Sequence, residues 1–295
     1  MLAYDGLNMV LNRLWQINVW AIASSMVSVN TPTMTKQLKL QHVLWRAGFG
    51  PALHDKDAWL AMPEQDWWPA IRKASAAKPQ LFDVASNAFE GLTMGIGELG
   101  QQEKRELSKE EKRKLKEQSR EDLKSLNLLW LDTMVHSQAQ LREKTALFWH
   151  GHFASRNINI LNQQQMLDVV RSNALGNFGD LLRGVSKSAA MLAFLNNQQN
   201  KKQHPNENFA REVMELFTLG RGHYTETDVR EAARAFTGWG FKLSGEFVFR
   251  ERDHDAGNKT ILGRTGPFTG DDVLNILLEQ RQTAHFISGK IARFF

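Results

Sequence analysis

The chain contains no cysteine. That excludes disulfides, thiolate metal sites and a cysteine nucleophile, and it leaves the compartment open, since cysteine-free chains suit the cytoplasm and the exterior alike. Tyrosine is nearly as scarce, two residues against nine tryptophans. Trp45, Trp149 and Trp239 each sit near charged residues, where an indole packs its ring and still donates from its N–H. All three read as core anchors. No apolar run reaches the roughly 20 residues a membrane-spanning helix needs. The stretch LWQINVWAIASSMVSVN at 14–30 is too short and too polar to span a bilayer. As a signal peptide it has only Arg13 ahead of it and a poor small-residue cleavage site. No internal repeat is visible. No basic block is interleaved with aromatics either, so nucleic acid is not an expected partner despite a net charge of +5.

What is present is an ordinary globular composition, 42% hydrophobic and 23% charged over 295 residues, enough to bury a real core. Met34 opens MTKQLKLQHVLWRAGFG, which reads as a start, so residues 1–33 are expected to be an extension outside the fold. The periodicity from 34 onward is helical. Leu40, Val43, Leu44 and Ala47 mark a first helix stopped by Gly48 and Gly50-Pro51. A second covers 56–77, interrupted at Pro63, and 85–100 reads as loop. From Gln101 to Lys124 there are nine positive and seven negative residues, a solvated helix with a Ser108-x-x-Glu111 capping box that passes into apolar helix at 126–135. Further helices are expected near 139–150, 162–175, 178–184, 186–195, 206–219, 226–237, 271–279 and 282–295. One β-hairpin is expected at 246–262, with Phe247 and Phe249 alternating and KTIL running back. The fold class is therefore mainly α, a multi-helix domain over 34–295 with one small hairpin. The last helix has no stop signal after Phe295, so the domain is expected to be incomplete at its C-terminal end.

The least ordinary segment is HPNENFAREVMELFTLGRGHYTETDVREAARAFTGWG, 204–240. At 100° per residue, Glu207, Arg211, Glu215 and Thr218 fall on one stripe, opposite Phe209, Val213, Leu216 and Phe217. Thr225-x-x-Asp228 caps the next helix, whose Arg230, Arg234 and Thr237 share a face. Gly220 and Gly222 keep the turn short, so the helices should lie side by side with Glu207, Glu215, Arg230 and Arg234 between them. The plain alternative is a solvated face with ion pairs worth about 0.2–1 kcal/mol each. In LFWHGHFASRN, His150 and His152 would diverge on one helix, but Gly151 stands where a helix would end, which would return His152 to the same side. Two such imidazoles suit a metal or proton transfer, or each is a satisfied structural histidine. Asp253, His254 and Asp255 cluster at the hairpin tip, where an Asp–His pair can fix an imidazole tautomer. Turns are rich in Asp for backbone reasons alone, so that cluster counts as chemistry only if the tip folds over the helix pair. GRTGPFTGDD reads as a turn and helix cap, with no phosphate-loop spacing.

In this order, LQHVLWRAGFGP, KTALFWHGHFA, NENFAREVMELFTLGRGHYTETDVREAARAFTGW, HDAGNKTILG and KIARFF resemble the bacterial family called domain of unknown function 1800, DUF1800, from about Leu38 to Phe295. Chains of that family continue past the K-x-x-R-F-F segment, in agreement with the open-ended last helix. The resemblance implies a mainly helical fold, no settled activity, frequent export, and a companion protein with a sulfatase-like fold. It establishes no catalytic residue. It does place His150, His152, Glu207, Asn208, Arg211, Glu212, Glu215, Arg230, Arg234, Trp239, His254 and Asp255 inside the family's own motifs.

The residues support two readings. In the first the protein is an enzyme. His150, His152 and His254 converge on a pocket floored by Glu207, Arg211 and Glu215, with Asn208, Arg230, Arg234, Trp239 and Asp255 as binding groups. Hydrolysis and metal- or haem-assisted redox chemistry both stay open, and the cofactor is not specified by the residues. In the second the chain is a non-catalytic helical module that binds a companion protein or a surface glycan, and its charged stripe ties helices together.

Overall fold

The computed structural model describes residues 34–51, 55–85, 108–156, 159–242 and 244–295. The expected extension at 1–33, most of the expected loop at 85–100 and the start of the charged segment at 101–107 lie outside the described residues. Helices carry the architecture: α1 Lys36–Ala47, α2 Lys56–Ala61, α3 Glu64–Ala74, α4 Lys109–His136, α5 Gln140–His152, α6 Ile160–Asn173, α7 Phe178–Ser186 and α8 Ala189–Phe194. They are followed by α9 Asn208–Glu212, which runs straight into a π-helical turn Val213–Thr218, then α10 Glu226–Ala235, α11 Gly270–Leu278 and α12 Arg281–Phe294. The protein is mainly α, and among the described residues no helix is long and apolar enough to cross a membrane.

Local chemistry explains most boundaries. Thr35, Asn159, Asn177 and Ser188 each accept from a first-turn amide at the starts of α1, α6, α7 and α8. Thr225–Asp228 and Thr269–Asp272 form reciprocal capping boxes on α10 and α11. Pro63 divides α2 from α3 because it opens the second helix and cannot continue the first.

The strands differ from the expected single hairpin. Phe247–Phe249 (β2) pairs antiparallel with Trp239–Phe241 (β1), while Lys259–Ile261 (β3) pairs with Arg264–Gly266 (β4). Each segment finds its partner across the nearest tight turn: Gly245 and Gly263 both adopt positive φ, which a glycine reaches without steric cost. The chain between β2 and β3 is thereby released from strand pairing.

One main core joins α4 through α12, with Phe153, Ile160, Leu182, Met191, Phe209 and Phe236 essentially inaccessible. A smaller cluster packs Leu40, Leu44, Trp67 and Ile71 of α1 and α3 against Leu141 of α5. Trp149 and Trp239 are core anchors as expected, Trp149 donating from Nε1 to the Ala174 carbonyl at 3.0 Å. Trp45 is not: it is 58% exposed, because Leu40, Leu44 and Ala47 already supply the buried face of α1.

Candidate functional site

The charged stripe starts at the first turn of α9. Glu207 and Arg211 stand one turn apart and pair at 3.0 Å. Arg211 then reaches the first residue of α10, with Nη1 and Nη2 donating to the two oxygens of Glu226 at 2.8 and 2.7 Å. The guanidinium thus bridges two helices, and its pKa is raised chiefly by the hydrogen bonds to Glu226. Behind this clasp, Phe209 of α9 meets Phe236 edge to face at 4.9 Å. The helices lie side by side, as the short Gly220–Gly222 turn requires.

Past Arg211 the expected stripe breaks. The turn from Val213 to Thr218 is π-helical, so Leu219 N–H bonds to Met214 O and the Thr218 hydroxyl to Val213 O, five residues back in each case. The wider turn rotates the later side chains about the helix axis. Leu216, expected in the core, is 45% exposed, and Thr218, expected on the stripe, is fully buried. Glu215 consequently leaves Arg211 and accepts from Tyr224 Oη at 2.5 Å and Arg221 Nε at 2.6 Å. The Tyr224 hydrogen bond, then that of Arg221, holds the Glu215 carboxyl below the usual range. Burial and the same carboxylate push Tyr224 up to about 12. Neither group changes protonation near neutrality, so this pair does not suit acid–base work there. Glu212, half-buried, is pushed up by burial and by the neighbouring Glu215 charge.

Arg230 and Arg234 do not join Glu207 and Glu215 between the helices. Arg230 donates to Thr227 on the exposed side of α10. Arg234 donates to Glu231 at 2.9 Å and from Nε to Asp255 at 2.7 Å. The segment bearing Asp253, His254 and Asp255 therefore does fold over a helix, at the C-terminal end of α10. Gly238 makes this approach close: a Cβ there would stand 2.6 Å from the Arg250 carbonyl. Asp255 is spent on Arg234, which keeps its carboxyl low, and it forms no pair with His254. The His254 tautomer is fixed instead by the Thr237 carbonyl, 3.0 Å from Nδ1. A carbonyl only accepts, so Nδ1 carries the proton and Nε2 is the acceptor nitrogen.

The other two histidines go elsewhere. Helix α5 runs through Gly151 to His152, so the imidazoles diverge where a fold-back was expected. His150 packs edge to face on Trp130, centroids 5.2 Å apart. His152 lies among Phe148, Trp149, Phe153, Phe178 and Phe217. Its Nε2 donates to the Phe217 carbonyl at 3.2 Å, and Nδ1 accepts from Lys290 Nζ at 3.2 Å. Burial, with Lys290 beside it, lowers its pKa to about 3. Lys290 also reaches the Leu216 carbonyl and Gln282 the Leu219 carbonyl. Together these side chains satisfy carbonyls that the end of the π-helical turn leaves without intrahelical partners. The three histidines thus contact three different parts of the fold, and among the described residues no group of three or more His, Asp and Glu is placed to hold a metal ion.

Of the remaining candidates, Asn208 donates to the Leu195 carbonyl at 3.2 Å, tying α9 to the end of α8. Trp239 is buried against Phe209, Phe236 and Phe247. The strongest polar feature escaped the sequence. Glu143 of α5 and Arg171 of α6, each 2% exposed, form a two-pronged pair at 2.9 and 3.0 Å, with Trp130 Nε1 donating to Glu143 at 2.9 Å. Arg142 alongside caps the Ser75 and Arg171 carbonyls. Their separation by 28 residues on two amphipathic helices carries no local signal. Asn197 and Asn200, also buried, bond the Phe236, Trp239 and Ala233 carbonyls around the end of α10.

The profile of the family described as "Protein of unknown function (DUF1800)" matches residues 42–295. No curated protein and no solved structure matches the chain.

Proposed function

Because the chain belongs to the DUF1800 family, whose description names no activity, its own geometry has to carry the reading: we propose that it is a non-catalytic helical module that binds a companion protein, with its charged helices serving as interhelical clasps. The observation that carries this is the saturation of the charged groups. Glu207, Arg211 and Glu226 satisfy one another, Glu215 is held by Arg221 and Tyr224, and Arg234 is held by Glu231 and Asp255. A ligand carboxylate or phosphate at Arg211 would have to displace a two-pronged protein carboxylate.

The enzyme reading needs histidines over that stripe. His152 has both ring nitrogens engaged, and His150 stacks on Trp130. One observation favours acid–base chemistry elsewhere, the tautomer-fixed His254, whose Nε2 makes no hydrogen bond among the described residues. The clasp accounts for more of the charged residues and is preferred. Thermal melts of Arg211→Ala and Glu207→Gln test it. Arg211→Ala should lower stability by about 1 kcal/mol, the upper end for an exposed pair, because three carboxylate contacts go at once. Glu207→Gln should cost less, since Glu226 remains. Wild-type melting of Arg211→Ala would favour a ligand site instead.

A further inference from the structure

Helices α1, α5 and α12 are rich in cations. Together they carry Lys36, Lys39, Arg46, Arg142, Lys144, Arg281, Lys290 and Arg293 and a single carboxylate, Glu143, while Lys39 is paired with Glu64 of α3 at 3.0 Å. Glu143 is buried against Arg171. The three helices meet around Lys144. Its Nζ donates to the Trp45 and Gly48 carbonyls at the end of α1, both at 2.9 Å, and lies 5.6 Å from the Phe49 ring centroid and 5.7 Å from that of Phe294. Phe294 packs on Phe148, which stacks on His152, and His152 accepts from Lys290. These contacts link Lys144 to Lys290 through Phe294 and the buried Phe148 and His152 rings, with Arg46 beside Lys144 and Arg293 beside Lys290. The cations crowd one another: after burial, Arg46 is what lowers the Lys144 pKa, and Arg293 does the same to Lys290. Arg46 and Arg293 are exposed and make no ion pair among the described residues. Large apolar side chains are exposed on the same helices, Leu38 and Trp45 on α1 and Phe294 on α12, with Leu216 beside Lys290.

We propose that this face, centred on Arg46, Trp45, Lys144, Lys290, Arg293 and Phe294, docks an acidic amphipathic segment of a partner protein. The proposal rests on the reading of the chain as a binding module and names the surface and the chemistry of what it takes. Unneutralised cations fix the sign of the partner. Exposed indole, phenyl and leucyl groups among them match the aromatic and apolar centre of a protein interface better than a bare polyanion would.

The test measures binding of a fluorescein-labelled, glutamate-rich helical peptide with leucine at every third or fourth position, by anisotropy at low salt. Phosphatidylserine vesicles and single-stranded oligo-dT are run in parallel. The peptide should bind, and Arg46→Glu/Arg293→Glu should weaken it by about tenfold or more, the scale of a reversed charge at a complementary surface. The reversal Arg113→Glu/Lys114→Glu on exposed α4 should change it by about twofold or less, since separated surface charges are largely screened. If the first variant does not fold, Arg46→Gln/Arg293→Gln carries the same comparison with a smaller loss. No peptide binding, equal loss from both reversals, or binding of vesicles or oligo-dT in place of the peptide overturns the proposal. The module reading fails separately, in the melting of Arg211→Ala, which touches none of the three helices.

Discussion

Arg171 and Glu143 face each other across the α5–α6 contact, both 2% exposed, joined through two nitrogen–oxygen pairs. The pair is almost wholly removed from solvent. The Trp130 indole and the Gln80 carbonyl complete its hydrogen bonding, and the Phe82 ring lies 3.9 Å from the Arg171 guanidinium carbon. Burying two ions is tolerable only when every lone pair and proton is answered.

Removing one partner should therefore hurt more than removing both. Glu143→Gln or Arg171→Met alone is expected to cost about 3–5 kcal/mol, because an unpaired charge or amide stays in the core. The double variant Glu143→Leu/Arg171→Met should recover a large part of that loss. Urea unfolding of the three proteins measures it. A double variant as damaged as the sum of its singles would contradict the account.

Stability should fall in mild acid through His152. Its pKa is lowered from 6.5 to about 3, so the unfolded chain binds a proton that the folded chain refuses. The contribution is complete above about pH 6.5 and is lost progressively as pH drops from there towards 3, at up to about 1.4 kcal/mol per pH unit. Glu215 and Asp255, whose carboxyls are depressed, add losses of the same sign only below the ordinary carboxylate range. His152→Gln should be less stable than the parent at pH 7 yet flatter between about pH 6.5 and 4.5 in urea titrations. A parallel slope would remove His152 as the sensor.

The π-helical turn makes opposite demands on two neighbours. Leu216 faces out and Thr218 faces in. Leu216→Lys is expected to change stability by less than about 0.5 kcal/mol, as for an ordinary surface position, while Thr218→Lys should unfold the domain by burying an unpaired charge. An uninterrupted α-helix would reverse that order, so melting the two variants reports the turn directly.

The sequence carried the fold well where chemistry is local. Periodicity located the helices, Pro63 divided α2 from α3, Thr225–Asp228 marked a cap that is present, and the stretch 263–272, read as a turn and helix cap, does cap α11. It misjudged the features that depend on distant partners. The strands at 247–249 and 259–261 looked like mates until Trp239–Phe241 and Arg264–Gly266 were available as nearer ones. His152 kept its helical position because Gly151 sits in open space and has no reason to end the helix. The charged stripe was legible for Glu207 and Arg211 and failed at Glu215, where the π-helical turn shifts every later side chain. Glu143–Arg171 and the Asn197–Asn200 pair left no trace, since each is a meeting of separate helices or turns rather than a motif.

The most direct measurement is a double-mutant cycle on Arg211 and Glu226, using Arg211→Ala, Glu226→Gln and their combination, with unfolding free energies from denaturant titration. The clasp predicts a favourable coupling, resolved from zero, between two residues on different helices. Coupling indistinguishable from zero, with each single variant as stable as the parent, would contradict it and free Arg211 for a ligand.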